Sequence, residues 1–233
     1  MSRTLLLHET RRAGWPALTA VPVVLAAGTG IALILVARGN DTDVFVQFWL
    51  REMLPLAFGL AVAAVPAAET CLEVQLSLPT PLPLTLARRA GLSLSSSALA
   101  AVALAVAAQL GGLWHPVHGA VAGELTWVSP AIALGGLGAA VFALTGSVSG
   151  AGATVAGVWL LQDLTVQWYD RRWSRPLYLF VDDGTGPLAG WWWLNRLTLI
   201  AVGALLVGAA ALMLTVRRER VFAARLLNLG GDQ

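Results

Sequence analysis

Lysine is absent from this chain, and cysteine occurs once, at Cys71. A phosphate-binding loop of the G-x-x-x-x-G-K-[ST] type needs its lysine to reach the β/γ-phosphates, so the chain cannot carry that kind of ATP site. Schiff-base catalysis on lysine falls with the same absence. A lone cysteine has no partner in the chain, which removes a disulfide scaffold. Charge is scarce as well. Only 12% of residues are charged, against about 25% in an ordinary soluble domain. The 15 basic residues, all arginine, and 13 acidic ones leave a net charge of +2. Nucleic-acid binding needs clustered basic charge on a soluble frame, and no such frame exists here. Disorder needs low hydrophobicity with high net charge, the reverse of a chain that is 57% hydrophobic.

What the chain has in quantity is apolar sequence. A helix crossing roughly 30 Å of hydrocarbon needs about 20 mostly apolar residues. Six runs approach that length: Pro16–Ala37, Phe48–Ala68, Ala90–Leu110, Val128–Thr145, Gly150–Trp168 and Leu194–Val216. They lack the polar face at period 3.6 that marks helices of a soluble core. The stretch Gly146–Gly152 reads as a short turn between the fourth and fifth. The first run is too long for the core of a cleaved signal and follows the polar-mixed stretch Met1–Trp15. The expectation is an all-α, multi-pass protein of the cell membrane, a single transmembrane domain over residues 1–233 with six spans. Both termini are placed in the cytoplasm, since that leaves nine arginines inside and six outside. Trp49, Trp114, Trp127, Trp168, Trp173 and Trp191–Trp193 then fall near outer ends. They read as an aromatic belt at headgroup level, or alternatively as an outer patch touching a substrate.

Three segments are not spans. Residues 1–15 mix Leu5, Leu6 and Leu7 with charges, and read either as an amphipathic helix on the inner surface or as an ordinary positive flank. Residues 69–89 are cytoplasmic on this topology. Glu69 and Glu73 stand four apart on one helical face, Leu72 and Leu76 form an adjacent apolar stripe, and Pro79, Pro81 and Pro83 stiffen the turn before Arg88 and Arg89. Such a helix has nothing in its own loop to pack against, so it lies on the surface or docks onto another protein. Residues 169–190 form the longest outer loop. Within it Leu177–Val181 packs as a short buried piece or dips back into the membrane.

This order, with His8-Glu9 and Arg11-Arg12 before the first span and Glu69-x-x-Leu72-Glu73-x-x-Leu76-Ser77-Leu78-Pro79 after the second, resembles the permease subunits of type-2 ABC exporters. The resemblance covers the whole chain as architecture and about twenty residues, Glu69 to Arg89, as sequence. It departs from the family at Thr70-Cys71, where Gly-Thr is frequent, and at Thr80-Pro81, where a basic residue is frequent. It implies an N-terminal elbow helix and a cytoplasmic coupling helix resting on a separate ATPase. Glu69, Leu72, Glu73, Leu76 and Pro79 are then docking positions, and Arg88 or Arg89 anchors the start of the third span. The partners implied are an ABC ATPase subunit, a second permease chain (identical or not) and membrane lipid, with no nucleic acid. The chain itself is non-catalytic and holds no cofactor, ATP and Mg residing on the ATPase. A cavity of Ala, Leu, Val and Gly suits an amphipathic or apolar cargo. The alternatives are a stand-alone proton-coupled secondary transporter, although no pair of similar halves is visible, and a structural subunit of a larger complex.

Chemistry-bearing residues are few. His115-Pro-Val-His118 is a weak metal signal with no cysteine nearby, and no metal is expected. Asp182-Asp183-Gly184 reads as a turn, and Gly146-Ser-Val-Ser-Gly150 has no later histidine to act as base. The possible intramembrane polar site is Asp163 with Gln162, together with Arg196 and Arg51. Because a charge at membrane depth costs a few kcal/mol, Asp163 is expected to pair with Arg196 or Arg51, or else to line a polar route as a proton-coupling residue. Ala131, Gly135 and Ala139, at intervals of four on the fourth span, permit close helix contact, within one chain or with another.

Overall fold

The computed structural model describes residues 15–40, 42–68, 82–165, 174–181 and 189–216. The N-terminal segment before Trp15, the docking positions Glu69, Leu72, Glu73, Leu76 and Pro79, and the residues after Val216 lie outside this set. Helices dominate the described residues, and no strand occurs among them. The principal elements are α1 (Trp15–Ala37), α2 (Asp43–Ala64), α3 (Leu82–Leu110), α4 (Ala120–Thr145), α5 (Val148–Leu164) and α6 (Trp192–Val216). Four of them, α1 from Thr19 onward, α2, α4 and α6, are long and apolar enough to cross a membrane. Among the described residues of α3 an apolar stretch runs Ser97–Leu110, and α5 has 17 residues, short of the roughly 20 a perpendicular crossing takes. Large apolar side chains such as Leu33, Leu99, Leu205 and Leu212 project outward, an arrangement suited to hydrocarbon and not to water. This is a membrane protein by its helices.

The helix ends have local causes. Gly146 ends α4 in the left-handed conformation (φ 68°), and the Ser147 side chain then accepts the Gly150 N–H at 3.0 Å to cap α5. The connection from α4 to α5 is therefore Gly146–Ser147 alone, shorter than the glycine-rich stretch suggests. Other boundaries shift too. α3 begins at Leu82, so Arg88 and Arg89 lie inside the helix, and α4 begins at Ala120 instead of Val128.

α2 contains a π-helical turn, Trp49–Met53, whose wider winding sends the Leu54 N–H back to the Trp49 carbonyl. Pro55 explains it. Proline has no N–H to offer and its ring crowds the carbonyl four residues earlier, that of Arg51, so the turn opens.

α4 is the central element and packs on α2, α5 and α6, while α1 lies on α2 and α3 runs beside α1. α2, α4 and α6 run in one direction. Phe58 stacks on Trp127 near the start of α4, with ring centroids 5.4 Å apart, whereas Phe142 near its end clusters with Ala63 and Leu214. The closest crossing is glycine on glycine. A Cβ on Gly136 would fall 2.5 Å from the Gly203 carbonyl oxygen, and one on Gly203 would fall 2.5 Å from that of Ile132. Gly59 likewise lets α2 approach Leu134 and Val155, at 2.8 and 2.9 Å from a notional Cβ. Between membrane helices there is no water to expel, so this close backbone contact supplies the attraction.

Candidate functional site

Because α3 touches the bundle mainly through α1, the core is open along one side. An apolar cavity of about 590 Å³ lies there, between α3 and the helices α2, α4 and α6. Ala87, Ala90, Gly91, Leu94 and Ala98 form the α3 wall, spaced three and four apart so that they share a face. Ala131, Gly135 and Ala139 line the α4 wall. This small-residue stripe faces the cavity, with Gly135 against Val62 of α2, and the tight α4–α6 crossing uses its neighbour Gly136 instead. Among the described lining residues Ser95 offers the one hydroxyl, and the Trp127 N–H is already donated to Glu124 at 2.7 Å. The cavity reaches Val65 and Pro66, in the 3₁₀ turn that follows α2, and Leu86 of α3. Those residues border segment 69–81 on either side.

The other end of the bundle, at Trp192, is polar inside. Residues Ser174–Val181 make a short 3₁₀ turn, Arg175–Leu177, and then run extended at Tyr178. Backbone in that form cannot satisfy its own carbonyls, and burial removes water as a partner. Two helices supply the bonds. From α6, Asn195 Nδ2 donates to the carbonyls of Arg175 (3.3 Å), Pro176 (3.1 Å) and Tyr178 (2.7 Å). The Arg196 guanidinium donates to Leu179 (3.2 Å) and Val181 (2.6 Å). From α5, Gln162 donates to the Leu177 carbonyl (3.4 Å) and accepts the Leu179 N–H (2.8 Å). Asn195 and Arg196 are both 0% exposed. Phe180 meets Trp159 edge-on at 6.0 Å and Tyr178 at 5.6 Å, and Arg175 lies over Trp191 at 5.7 Å. Within the expected piece Leu177–Val181, Tyr178, Leu179, Phe180 and Val181 are buried and Leu177 is exposed.

The expected pairing of Asp163 is not made. Arg51 binds its own neighbour Glu52 at 2.9 Å, within the π-helical turn, and Arg196 spends its guanidinium on the loop carbonyls. Asp163 is exposed on α5, close enough to Glu52 for the two carboxylates to repel. One turn before it, the Trp159 N–H donates to the Glu52 backbone carbonyl at 3.0 Å, so α5 is fastened to the widened turn of α2. Gln162 and Arg196 thus join in one structure, while Arg51 and Asp163 gather around Glu52. Asn195 was not singled out from the sequence. An amide beside an arginine at the start of an apolar run was its signal, but its partners are backbone carbonyls that no residue type announces.

Arg88 is exposed on α3 and Arg89 is 1% exposed. Trp168 and Trp173 lie outside the described residues, and the described tryptophans differ in burial. Trp114, Trp127 and Trp192 are buried, and Trp49 lies over Gly28 with its N–H donated to the Val24 carbonyl at 3.1 Å. Their indoles fill gaps between helices, and only a residue such as Trp193 stands half out of the surface. His118 stacks on Trp192 at 4.2 Å, whereas His115 is exposed, and no group of three or more His, Cys, Asp or Glu that could hold a metal occurs among the described residues. No protein-family model, no curated protein and no solved structure matches this chain.

Proposed function

We propose that the chain is the transmembrane permease subunit of an ATP-driven exporter in the cell membrane, working with a separate ATPase and a second permease chain. The observation that carries this reading is the position of the apolar cavity. Its walls include the last turn of α2 and the first turns of α3, the two elements joined by segment 69–81. A push on Glu69–Pro79 from a closing ATPase would act first on α3, the helix least tied to the bundle, and so change the width of the cavity. All six helices span in this reading, and the Leu214 end faces the cytoplasm. With no lysine for a Walker loop, hydrolysis belongs to the partner. Glu73→Arg should cut permease-stimulated ATP hydrolysis at least tenfold while membrane insertion stays normal, measured on the co-purified complex in proteoliposomes. Hydrolysis unchanged by this substitution refutes the coupling.

A second reading, a proton-coupled secondary transporter, draws on the Glu52–Asp163 juxtaposition. Transport driven by a pH gradient and lost in Asp163→Asn supports it, and transport indifferent to the gradient ends it.

A further inference from the structure

We infer that the cavity beside α3 is a lipid site that takes one acyl chain of an anionic phospholipid, with the phosphate at Arg88. This deepens the exporter reading and rests on it for the claim that the lipid is cargo; the binding itself needs no ATPase.

Three observations converge. The first is chemical. A space of about 590 Å³ inside a bilayer fills with whatever hydrocarbon reaches it, since an empty one forfeits the dispersion contacts of its lining. Water is excluded, because an ordered molecule needs two to four polar partners and the described lining offers little beyond Ser95. The second is dimensional. From Leu86 to Ala98 the α3 wall measures about 18 Å at 1.5 Å per residue, close to one leaflet of a hydrocarbon core roughly 30 Å thick. That is the reach of a single acyl chain. A spanning helix about 10 Å across and 30 Å long displaces roughly 2,400 Å³, so it could lie against the opening but not in it.

The third is electrostatic. Arg88 is exposed at the end of the cavity where Leu86 stands, and on the helix it neighbours Gly91 and Ser95, three and seven residues on, along one edge of the opening. No acidic side chain is among the described lining residues to compete for it. A guanidinium meets a phosphate with two parallel hydrogen bonds, and anionic headgroups gather at basic positions on the cytoplasmic face. A neutral phospholipid offers the same chains but no net charge, so discrimination between the two reads the arginine.

The test is photolabelling of the full chain in nanodiscs of phosphatidylcholine, without ATPase or nucleotide. Traces of phosphatidylglycerol or phosphatidylcholine carrying the same diazirine-bearing acyl chain serve as probes, and labelled peptides are mapped by mass spectrometry. Phosphatidylglycerol should label Ala90–Ala98 and Ala131–Ala139 about fivefold more than phosphatidylcholine, the discrimination one interfacial arginine supplies. Arg88→Gln should erase that preference and leave the labelled positions the same. Gly91→Leu should empty the site, since a Cβ at Gly91 meets nothing within 4 Å and the added side chain points into the cavity wall's own space. Ala131→Leu blocks it from the opposite wall should the first variant fail to fold. Equal labelling by both probes, or labelling indifferent to both blocking variants, overturns the proposal. So does a disulfide between two copies of Leu94→Cys, which would make the occupant a second chain. Loss of the Glu73→Arg effect on hydrolysis, by contrast, would refute the exporter reading and leave these labelling results standing.

Discussion

Replacing Asn195 with alanine should release segment Ser174–Val181 without unfolding the bundle. The Asn195 amide holds three carbonyls, and its strongest bond, to Tyr178, is 2.7 Å long and buried. Removing a donor from a buried acceptor costs the acceptor's desolvation, about 1–3 kcal/mol, and the weaker bonds add fractions of that. The loss sums to about 2–4 kcal/mol, while Arg196 and Gln162 keep their own bonds to Leu177, Leu179 and Val181. Opening of the segment should therefore become about 30- to 700-fold easier. Amide hydrogen exchange in detergent micelles reads this directly at Leu179, whose N–H is bound by Gln162 and exchanges only when the segment lifts. Amides in the middle of α4 serve as the internal control and should exchange at the wild-type rate. An Asn195→Ala chain whose Leu179 amide exchanges within threefold of wild type would show that the amide is not what fixes the segment. Equal acceleration in α4 would show that Asn195 supports the whole fold and not this segment.

Two further substitutions probe the helix contacts. Gly203→Ala puts a methyl group 2.5 Å from the Ile132 carbonyl, where backbone on both sides leaves nothing to move, and should destabilise the bundle by at least about 2 kcal/mol. Gly208→Ala, on the same helix but with nothing within 4 Å, should be neutral or gain about 0.5–1 kcal/mol. The opposite signs can be read from denaturant titrations of the two variants in detergent, and equal behaviour would sink the packing argument. Trp159→Phe keeps the ring against Phe180 but frees the Glu52 carbonyl, at a cost of about 1–2 kcal/mol, seen as a lower midpoint of thermal unfolding. An unchanged midpoint would mean that the indole bond contributes nothing to holding α5 on α2.

The polar groups at the Trp192 end show how a membrane fold can keep irregular backbone. Segment Ser174–Val181 is irregular, a 3₁₀ turn followed by the buried stretch Tyr178–Val181, and three side chains on two helices replace the water its carbonyls would otherwise need. Arg196 suits that task because its charge persists at any depth and its planar fork reaches two carbonyls at once. The Arg51–Glu52 pair plays a different part, lying in a turn widened by Pro55 and pinned by Trp159.

Sequence alone determined the helical class and the membrane setting, because long apolar runs leave the backbone no partner in hydrocarbon except itself. It located each run within several residues and named Gln162, Asp163, Arg51 and Arg196 as the polar exceptions. The absence of lysine by itself removes a Walker site from this chain. Pairing was beyond it. Arg196 met carbonyls instead of Asp163, since an arginine in a run of leucines carries no mark of whether its partner is a carboxylate or a bare peptide group. Indole suits an interface, which is what the sequence could say of the tryptophans; that Trp114, Trp127 and Trp192 are buried where helices leave room for a large ring took the tertiary structure. Tertiary structure also decided which glycines touch. Gly135 and Gly136 are adjacent in the sequence and both border the cavity, but a rotation of about 100° per residue sets Gly135 against Val62 of α2 and Gly136 against Gly203 of α6. The cavity exists because α3 stands away from α4 and α6 and because small residues on the facing walls leave the gap unfilled, a juxtaposition that only long-range packing creates.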